Sequence, residues 1–333
     1  MNRSKQAGMG KRIIVVLLVS LALTSVRLAE AQPAKEVPRI GYLDPASPEA
    51  SLRQIEAFRK GLAELGYVDG KNIVIEYRHA DGKRNRLVTA ATELVQRHVD
   101  VIVTGSTPGV EAAKNATTTI PIIFATIGDP VRSGLVESLA RPGGNITGLT
   151  IFSPEMGGKR LELLKEAFPK IRRVAFFWST MNPGFSFAEA EAAGKPLGVE
   201  VQSVQLRDVE DIESAFKKVR KKGSQAFTTA PDPVMRLRQR KLLDFAEKNR
   251  LPAMYGQLDF VDAGGLMSYA PNTIDLYRRA ATYVDKILKG SKPADLPIEQ
   301  PKKFEFIINL NSAKQIGVTI PPNVLARADR VIK

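Results

Sequence analysis

The chain has 333 residues, 44% of them hydrophobic and 25% charged, and a formal net charge of +14, which suits one large or two medium globular domains and excludes a fibre or an unstructured linker. It contains no cysteine, which excludes disulfide bonds, thiol catalysis, cysteine-bound metals and a lipid-bearing cysteine. We therefore expect a globular protein that uses no metal or cofactor.

The first 31 residues are typical of a secretory signal peptide. Basic residues precede the apolar run IIVVLLVSLALTSV, and Ala29-Glu30-Ala31 fits a small-x-small cleavage site. A membrane anchor is the alternative, but the run of about 14 residues is shorter than the ~20 that a span needs. Cleavage near Ala31 would leave a periplasmic protein that begins at Gln32.

The basic charge favours a solvated surface over a nucleic-acid site. Residues 1–31 carry five basic residues and one acidic residue, so their removal leaves a net charge of about +10. The other basic residues are scattered over predicted helix faces beside acidic partners, as in GKRLELLKE (158–166), without interleaved aromatic residues. Attraction to an anionic membrane surface or partner remains open.

Residues 37–148 alternate between strand and helix signals. The predicted strands are RIGYL, NIVIEYR, VDVIVTG and PIIFATIG, and the predicted helices are SLRQIEAFRKGLAELGY, RLVTAATELVQRH and VEAAKNA. The first helix places Leu52, Ile55, Phe58, Leu62 and Leu65 on one face. Near-continuous Val/Ile runs separated by helices indicate a parallel sheet covered on both faces, which we assign to lobe 1.

The segment LARPGGNITGLTIFSPE (139–155) interrupts this alternation with paired glycines and two prolines, and it predicts a crossing into a second lobe. Lobe 2, over residues 149–272, has the same order of signals, including one helix over VMRLRQRKLLDFAEKNR (234–250). A helix over DLYRRAATYVDKILKG lies in a segment of about 273–300 that we expect to return to lobe 1. The tail predicts a strand and a short helix, and the lobe of residues 301–333 stays open.

The two halves resemble each other in order and punctuation. TGSTP leads into a helix that returns through TIPIIFATIG, and TTAPDP leads into a helix that returns through RLPAMYG. We therefore predict an α/β fold of two doubly wound parallel-sheet lobes joined by a hinge.

Four polar-proline pairs mark the predicted carboxyl ends of strands, where ligands bind in open parallel sheets. They are Thr107-Pro108, Asp129-Pro130, Asn182-Pro183 and Asp232-Pro233. Each alone is explained by helix capping, which is worth roughly 1 kcal/mol. As a set, with two pairs in each lobe, they predict one cleft.

The residues at these carboxyl ends of strands, which we call the rim, suggest an amino-acid site. Ser106 and Thr107, with the free amides of a helix start, suit a carboxylate, and Gly105 would allow close approach to the backbone. Asp129 and Asp232 are candidates to receive an ammonium group. Aromatic side chains near other strand ends are candidates for the pocket wall: Tyr42, Trp178 and Tyr255.

Catalytic alternatives have less support. His79 and His98, the two histidines, are expected on the surface away from the rim. GSTPG lacks the serine position of a nucleophile elbow, and no phosphate-binding glycine motif is present. The carboxylate pair Asp129/Asp232 leaves a secreted hydrolase as an alternative.

Several long stretches resemble the family of ABC-transporter substrate-binding proteins of the tryptophan/tyrosine type. The most specific are FRKGLAELGYVDGKNIVIEYR, TTIPIIFATIGDPVRSGLVESLARPGGNITGL and LYRRAATYVDKILKGSKPADLPIEQPKKFEFIINLNSAKQIGVTIPP. The resemblance covers essentially the whole mature chain. It implies a type I periplasmic-binding-protein fold that closes on a small solute, and it places ligand contacts at TGSTP, at IGDP with Asp129 and at PDP with Asp232. Asn182 also matches, whereas Trp178 departs from the aliphatic pattern of relatives.

The leading hypothesis is a monomeric periplasmic receptor that delivers an amino acid to an ABC permease in the cytoplasmic membrane. A sensory ligand-binding module is a further alternative that the sequence does not separate from it.

Overall fold

Strands and helices alternate along the first half of the chain, as the sequence predicts. The computed structural model describes residues 37–151, 156–182, 184–207 and 211–333, so the predicted signal peptide and Pro183 lie outside the described residues. The strands of lobe 1 are β1 (Arg39–Asp44), β2 (Val74–His79), β3 (Val101–Thr104), β4 (Ile122–Ile127) and β5 (Ile146–Thr150). Its helices are α1 (Leu52–Glu64), α2 (Arg84–Gln96) and α3 (Thr107–Ala116), with a 3₁₀ turn at Glu49–Ser51.

The described strands of lobe 1 form one parallel sheet in the order β2-β1-β3-β4-β5. Both faces are covered by apolar side chains. On one face Ile40, Val101 and Val103 pack with α1, and on the other Ile102 and Phe124 belong to a second core cluster. Burial on both faces explains why the strands read as continuous Val/Ile runs.

The second half contains the elements of lobe 2. Its helices are α4 (Met156–Ala167), α5 (Phe185–Leu197), α6 (Ile212–Lys221), α7 (Pro233–Leu237), α8 (Gln239–Lys248) and α9 (Asp259–Asp262). Its first strands are β6 (Arg173–Ser179), β7 (Glu200–Leu206), β8 (Ala226–Thr229), β9 (Ala253–Tyr255) and β10 (Met267–Pro271).

The tail completes the sheet of lobe 2. It contributes β11 (Phe304–Asn309), α11 (Leu310–Ile316), α12 (Pro322–Leu325) and β12 (Arg330–Ile332). Among the described residues the order is β12-β11-β10-β9-β8-β6-β7, and the β10–β11 pair is antiparallel while the other pairs are parallel. The predicted α/β class with two doubly wound lobes is confirmed, with one antiparallel pairing that the sequence did not indicate.

Helix α10 (Thr273–Leu288) lies against lobe 1 rather than lobe 2. Its apolar face joins the core beside α1, and a 3₁₀ turn at Pro293–Asp295 follows it. The Tyr283 hydroxyl donates to Pro297 O at 2.6 Å, and Arg279 pairs with Glu299. The lobe boundary near residue 149 stays a prediction, since β5 continues to Thr150.

Two local predictions are wrong. The helix predicted over 234–250 is two helices, because Arg238 between them has φ −108° and ψ 14°, outside the helical region. The tail has two strands and two short helices instead of one of each. Gly317, with φ 73°, ends α11, and Pro321 then begins the next turn. Within the described ranges, no helix has the length and apolar character to cross a membrane.

Candidate ligand-binding cleft

A cavity lies between the two lobes at the carboxyl ends of β3 and β4. Lobe 1 and the segment that leaves it contribute Gly105, Ser106, Thr107, Thr126, Ile127, Gly128, Asp129 and Ile151. Lobe 2 contributes Met156, Arg160, Met181, Asn182, Phe185, Ser186, Glu189, Pro231, Pro233 and Pro271. Five of the nine predicted site residues therefore come together here.

The start of α3 forms the lobe 1 side of the cavity. Ser106 is the N-cap, one residue earlier than predicted, and its Oγ accepts a hydrogen bond from Gly109 N at 3.0 Å. This bond uses a lone pair, so the hydroxyl proton can still be donated to a ligand. A side chain at Gly105 would collide with the Tyr277 hydroxyl, so packing against α10 requires glycine at this point of the rim.

Asp129 lies on the same side, where the chain leaves β4. Its Oδ1 accepts from the amides of Val131 and Arg132, each at 3.0 Å, and so it caps a turn rather than a helix. The guanidinium of Arg132 lies 4.1 Å from the centre of the Phe185 ring in lobe 2. Asp129 is half-buried and lines the cavity, as predicted.

Asp232 has a structural role instead of the expected ammonium contact. It is 1% exposed, and its carboxylate accepts from Ser179 N at 2.9 Å, from Ser179 Oγ at 2.7 Å and from Val234 N at 2.7 Å. Burial raises its pKa, and these hydrogen bonds oppose that rise. It lines a recess next to the cavity, with Arg236 and Tyr277, rather than the cavity itself. We therefore leave Asp232 out of the proposed site.

Asn182 lines the cavity from lobe 2. Its Oδ1 accepts from Gly184 N at 2.8 Å, which shapes the turn that enters α5. Gly184, with φ 81°, is the N-cap of that helix, so the cap lies two residues later than the predicted Asn182.

The three aromatic residues expected to wall the pocket do not reach it. Tyr42 lies in the core of lobe 1, 5.6 Å from the ring centre of Phe58. Tyr255 is fully buried and stacks on Phe260 at 4.7 Å. Trp178 donates from Nε1 to Ser203 Oγ at 2.9 Å on the neighbouring strand β7. Strand alternation turns Tyr42 and Tyr255 into the cores and Trp178 against Phe187 of α5, so their place near strand ends did not decide their direction.

Sequence reasoning missed the most unusual cavity residue, Arg160. It was counted among solvated basic residues, yet it is 1% exposed. The signal was present: Met156, Arg160, Leu163, Leu164 and Ala167 fall on one helical face of α4, and all five are buried. A charged residue within an apolar stripe calls for a specific partner.

Arg160 has few partners among the described residues. Its Nε donates to Tyr269 O at 3.1 Å, and its Nη1 is buried without a hydrogen bond. Burial lowers its pKa to about 10, and the negative charge of Glu189 opposes this shift. Burial raises the pKa of Glu189, whose Oε2 accepts from Gly157 N at 3.2 Å.

A second arginine, Arg236, is partly buried at the boundary of the lobes. It projects from α7 of lobe 2 and donates from Nη2 to Ser51 Oγ of lobe 1 at 3.5 Å. Burial acts to lower its pKa, but Tyr277, Asp44 and Asp259 outweigh that effect and hold the pKa above its usual value. We call Asp44, Arg236 and Asp259 the interlobe cluster.

The histidines stay away from the cavity, although His79 is not the surface residue we expected. It is partly buried, and its Nδ1 lies 3.4 Å from Asp44 Oδ2. This contact with the Asp44 carboxylate raises the pKa of His79.

The family described as ABC transporter substrate binding protein has a sequence profile that matches residues 39–332. A curated relative, the "Tyrosine-binding protein" of Clostridioides difficile, is 27% identical over 265 residues, which are 79% of this chain and 76% of the relative.

Two solved structures of relatives, one with a ligand and one without, superimpose on this chain to different degrees. A domain from Streptococcus pneumoniae in complex with L-Trp has a TM-score of 0.81 at 27% identity, covering 89% of this chain and 99% of its own. The ligand-free, open structure of a substrate-binding protein with adhesive properties from Clostridium difficile has a TM-score of 0.62 at 25% identity, covering 89% of this chain and 99% of its own. At nearly equal identity and coverage, the lobes superimpose better on the ligand-bound relative.

Proposed function

The chain belongs to the ABC transporter substrate binding protein family, and we propose that it captures an amino acid in the cleft between its lobes and presents it to a membrane permease. The observation that carries the proposal is the cavity itself. Both lobes line it, and they supply hydroxyl groups, charges of both signs and apolar side chains within one space. This combination suits a small zwitterion with an apolar side chain.

The lobe 1 side suits the polar end of the amino acid. The Ser106 hydroxyl and the start of α3 are placed to donate to a carboxylate, since the first amides of a helix lack partners within it. Asp129 uses Oδ1 for its turn, which leaves Oδ2 as an acceptor for an ammonium group.

The lobe 2 side suits an aromatic side chain. Met156, Met181 and Phe185 line the cavity there. Thioethers and rings make favourable contacts with aromatic groups. The L-Trp complex and the tyrosine-binding relative support the same ligand class.

Binding would favour the closed arrangement, because only the closed form lets the solute touch both lobes. The better superposition on the Trp-bound relative and the contact between Arg132 and Phe185 across the lobes support a closed arrangement here. We propose a periplasmic monomer that docks on its permease in this form. The hydrolase alternative has no support, since the carboxylate of Asp232 is bonded to Ser179 and α7.

Thermal unfolding of ligand-stripped protein tests the proposal. The chain from Gln32 onward is unfolded, refolded and heated with L-tryptophan, L-tyrosine, other amino acids and sugars. A ligand at a hundredfold excess over its Kd stabilises the native state by ~2.7 kcal/mol. We expect stabilisation by an aromatic amino acid and at least about tenfold weaker binding after Ser106→Ala with Thr107→Ala, the equivalent of ~1.4 kcal/mol.

Thr92→Ala, on an exposed position of α2 away from the cavity, is the matched control and should bind like wild type. Stabilisation by sugars alone would contradict the amino-acid assignment. Unchanged affinity of the double variant would remove the carboxylate from the start of α3.

A further inference from the structure

We infer that Arg160 binds the carboxylate of the solute from lobe 2, so that this group is held from both lobes. The inference rests on the proposed function, because it assumes that the cleft takes a carboxylate-bearing solute. It adds a contact from lobe 2 to the carboxylate contacts proposed for lobe 1.

The first argument is the lack of a protein anion beside a buried cation. Arg160 is 1% exposed, and none of the described acidic side chains comes within 4.0 Å of its guanidinium. A buried charge is costly unless it is paired and hydrogen-bonded. Nη1 has no hydrogen-bond partner among the described residues, so the guanidinium has donor capacity left.

The second argument is the place of the side chain. Arg160 lines the cavity together with Ser106 and Thr107, the predicted carboxylate contacts of lobe 1. Its Nε is fixed by Tyr269 O at 3.1 Å, which orients the planar group. Guanidinium groups bind carboxylates with two parallel hydrogen bonds, and an oriented guanidinium loses less conformational entropy on binding.

The third argument is that Glu189 does not take this role. Its Oε2 is occupied by the Gly157 amide, and the pair with Arg160 is too long for an ion pair. Glu189 still lowers the cost of the buried cation through its field. A solute carboxylate would neutralise the charge of Arg160 and accept a hydrogen bond from its unpaired Nη1.

The consequence for function is a coupling between binding and closure. A carboxylate that touches the start of α3 and Arg160 contacts both lobes, so its binding favours the closed arrangement over the open one. An amine that lacks the carboxylate would lose this bridge, and the receptor should select acids over their decarboxylated analogues.

A double comparison of protein and ligand tests the assignment. L-tryptophan and tryptamine, or L-tyrosine and tyramine, are titrated into wild type and Arg160→Met. We expect about a hundredfold weaker binding of the amino acid by Arg160→Met, the loss typical of removing one partner of a buried charge pair, and no change for the amine. Equal weakening of amino acid and amine would overturn the inference.

The ligand-free stability of the same variant separates a binding role from a structural one. A methionine fills a similar volume without the charge, so the urea midpoint of Arg160→Met should equal or exceed that of wild type. Arg236→Met, which removes a partly buried arginine close to Asp44 and Asp259, is the matched control and should unfold earlier. A clear loss of stability in Arg160→Met would assign Arg160 a structural role and overturn the inference.

Failure of the proposed function has a different signature. If wild type binds no amino acid, the proposed ligand class fails, and the Arg160 assignment is then decided with indole-3-acetate and benzoate as probes. Thermal stabilisation of wild type that Arg160→Met loses would support it. Equal responses of the two proteins, or none, would overturn it.

Discussion

Arg160 and Arg236 both project from helices of lobe 2, but Arg160 is fully buried and Arg236 is partly buried, and their surroundings differ. Arg236 lies in the interlobe cluster, where acidic and phenolic groups hold its pKa above the usual value. Arg160 lies at the cavity, where burial dominates and lowers its pKa to about 10. Neither arginine forms an ion pair with a described acidic side chain, and each has one buried nitrogen without a hydrogen bond, Nε in Arg236 and Nη1 in Arg160. We propose that the field of the protein acids stabilises the first charge and that a solute carboxylate neutralises the second.

This comparison distinguishes groups that stabilise the folded protein from groups that we propose to bind the ligand. Asp232 and Asp129 show the same contrast among the acids. Asp232 is saturated by hydrogen bonds from Ser179 and α7, whereas Asp129 caps a turn with one oxygen and lines the cavity. We therefore base the proposed ligand contacts on side chains that line the cavity itself and keep unused hydrogen-bonding capacity, as Arg160 and Asp129 do.

The largest loss of stability should come from Arg236→Met. The variant leaves the buried Asp44 and the partly buried Asp259 without the nearby charge of Arg236, which we expect to lower the free energy of unfolding by about 3–5 kcal/mol in urea denaturation. Among the described residues Asp44 Oδ2 and Asp259 Oδ1 already lack hydrogen bonds, and the loss of Arg236 leaves Asp44 with His79, whose Nδ1 lies 3.4 Å from Oδ2.

Arg240→Met is the matched control for this loss. Arg240 lies on the neighbouring helix α8 with its side chain 82% exposed, paired with Asp244 at 3.0 Å. Exposed pairs are worth at most about 1 kcal/mol, so the control should unfold nearly like wild type. Equal stability of Arg236→Met and the control would contradict the claim that Arg236, unlike Arg160, stabilises the fold.

Substitution of the two aspartates should have smaller effects, on stability for Asp232 and on ligand affinity for Asp129. Asp232→Asn replaces an acceptor with a donor beside Ser179 and should lower stability by about 1–3 kcal/mol with little change in ligand affinity. Asp129→Asn keeps a good cap and should leave stability unchanged, while amino-acid affinity falls by about tenfold, or ~1.4 kcal/mol. Urea denaturation and calorimetric titration of both variants measure the two properties.

The result would contradict our assignment if the pattern were reversed. Weaker binding by Asp232→Asn in a fully stable protein would return the ammonium role to Asp232. Full affinity of Asp129→Asn would remove it from Asp129.

The sequence predicted the fold because its signals are local and repeated. Val/Ile runs such as Val101–Val103 and the amphipathic pattern of α1 each specify their element, and the alternation of elements specifies parallel sheets. The antiparallel β10–β11 pair depends on a long-range pairing that no local pattern marks.

The site was predicted less well, for reasons that lie in side-chain direction. Ser106 and Asp129 line one cavity, as predicted, because strand ends meet at one edge of a parallel sheet. Trp178 and Tyr255 were misplaced because proximity to a strand end does not fix which face a side chain takes. Arg160 was missed because its charge was taken as a sign of solvent exposure, although its position lies in the apolar stripe of α4.

Small-angle X-ray scattering of ligand-stripped wild type, with and without the amino acid that stabilises it most, tests the central claim that the lobes close on a solute. We expect the ligand to reduce the radius of gyration and to shift the scattering curve toward that calculated from the closed arrangement described here. Saturating binding with no change in the scattering curve would contradict closure of the cleft as the means of capture.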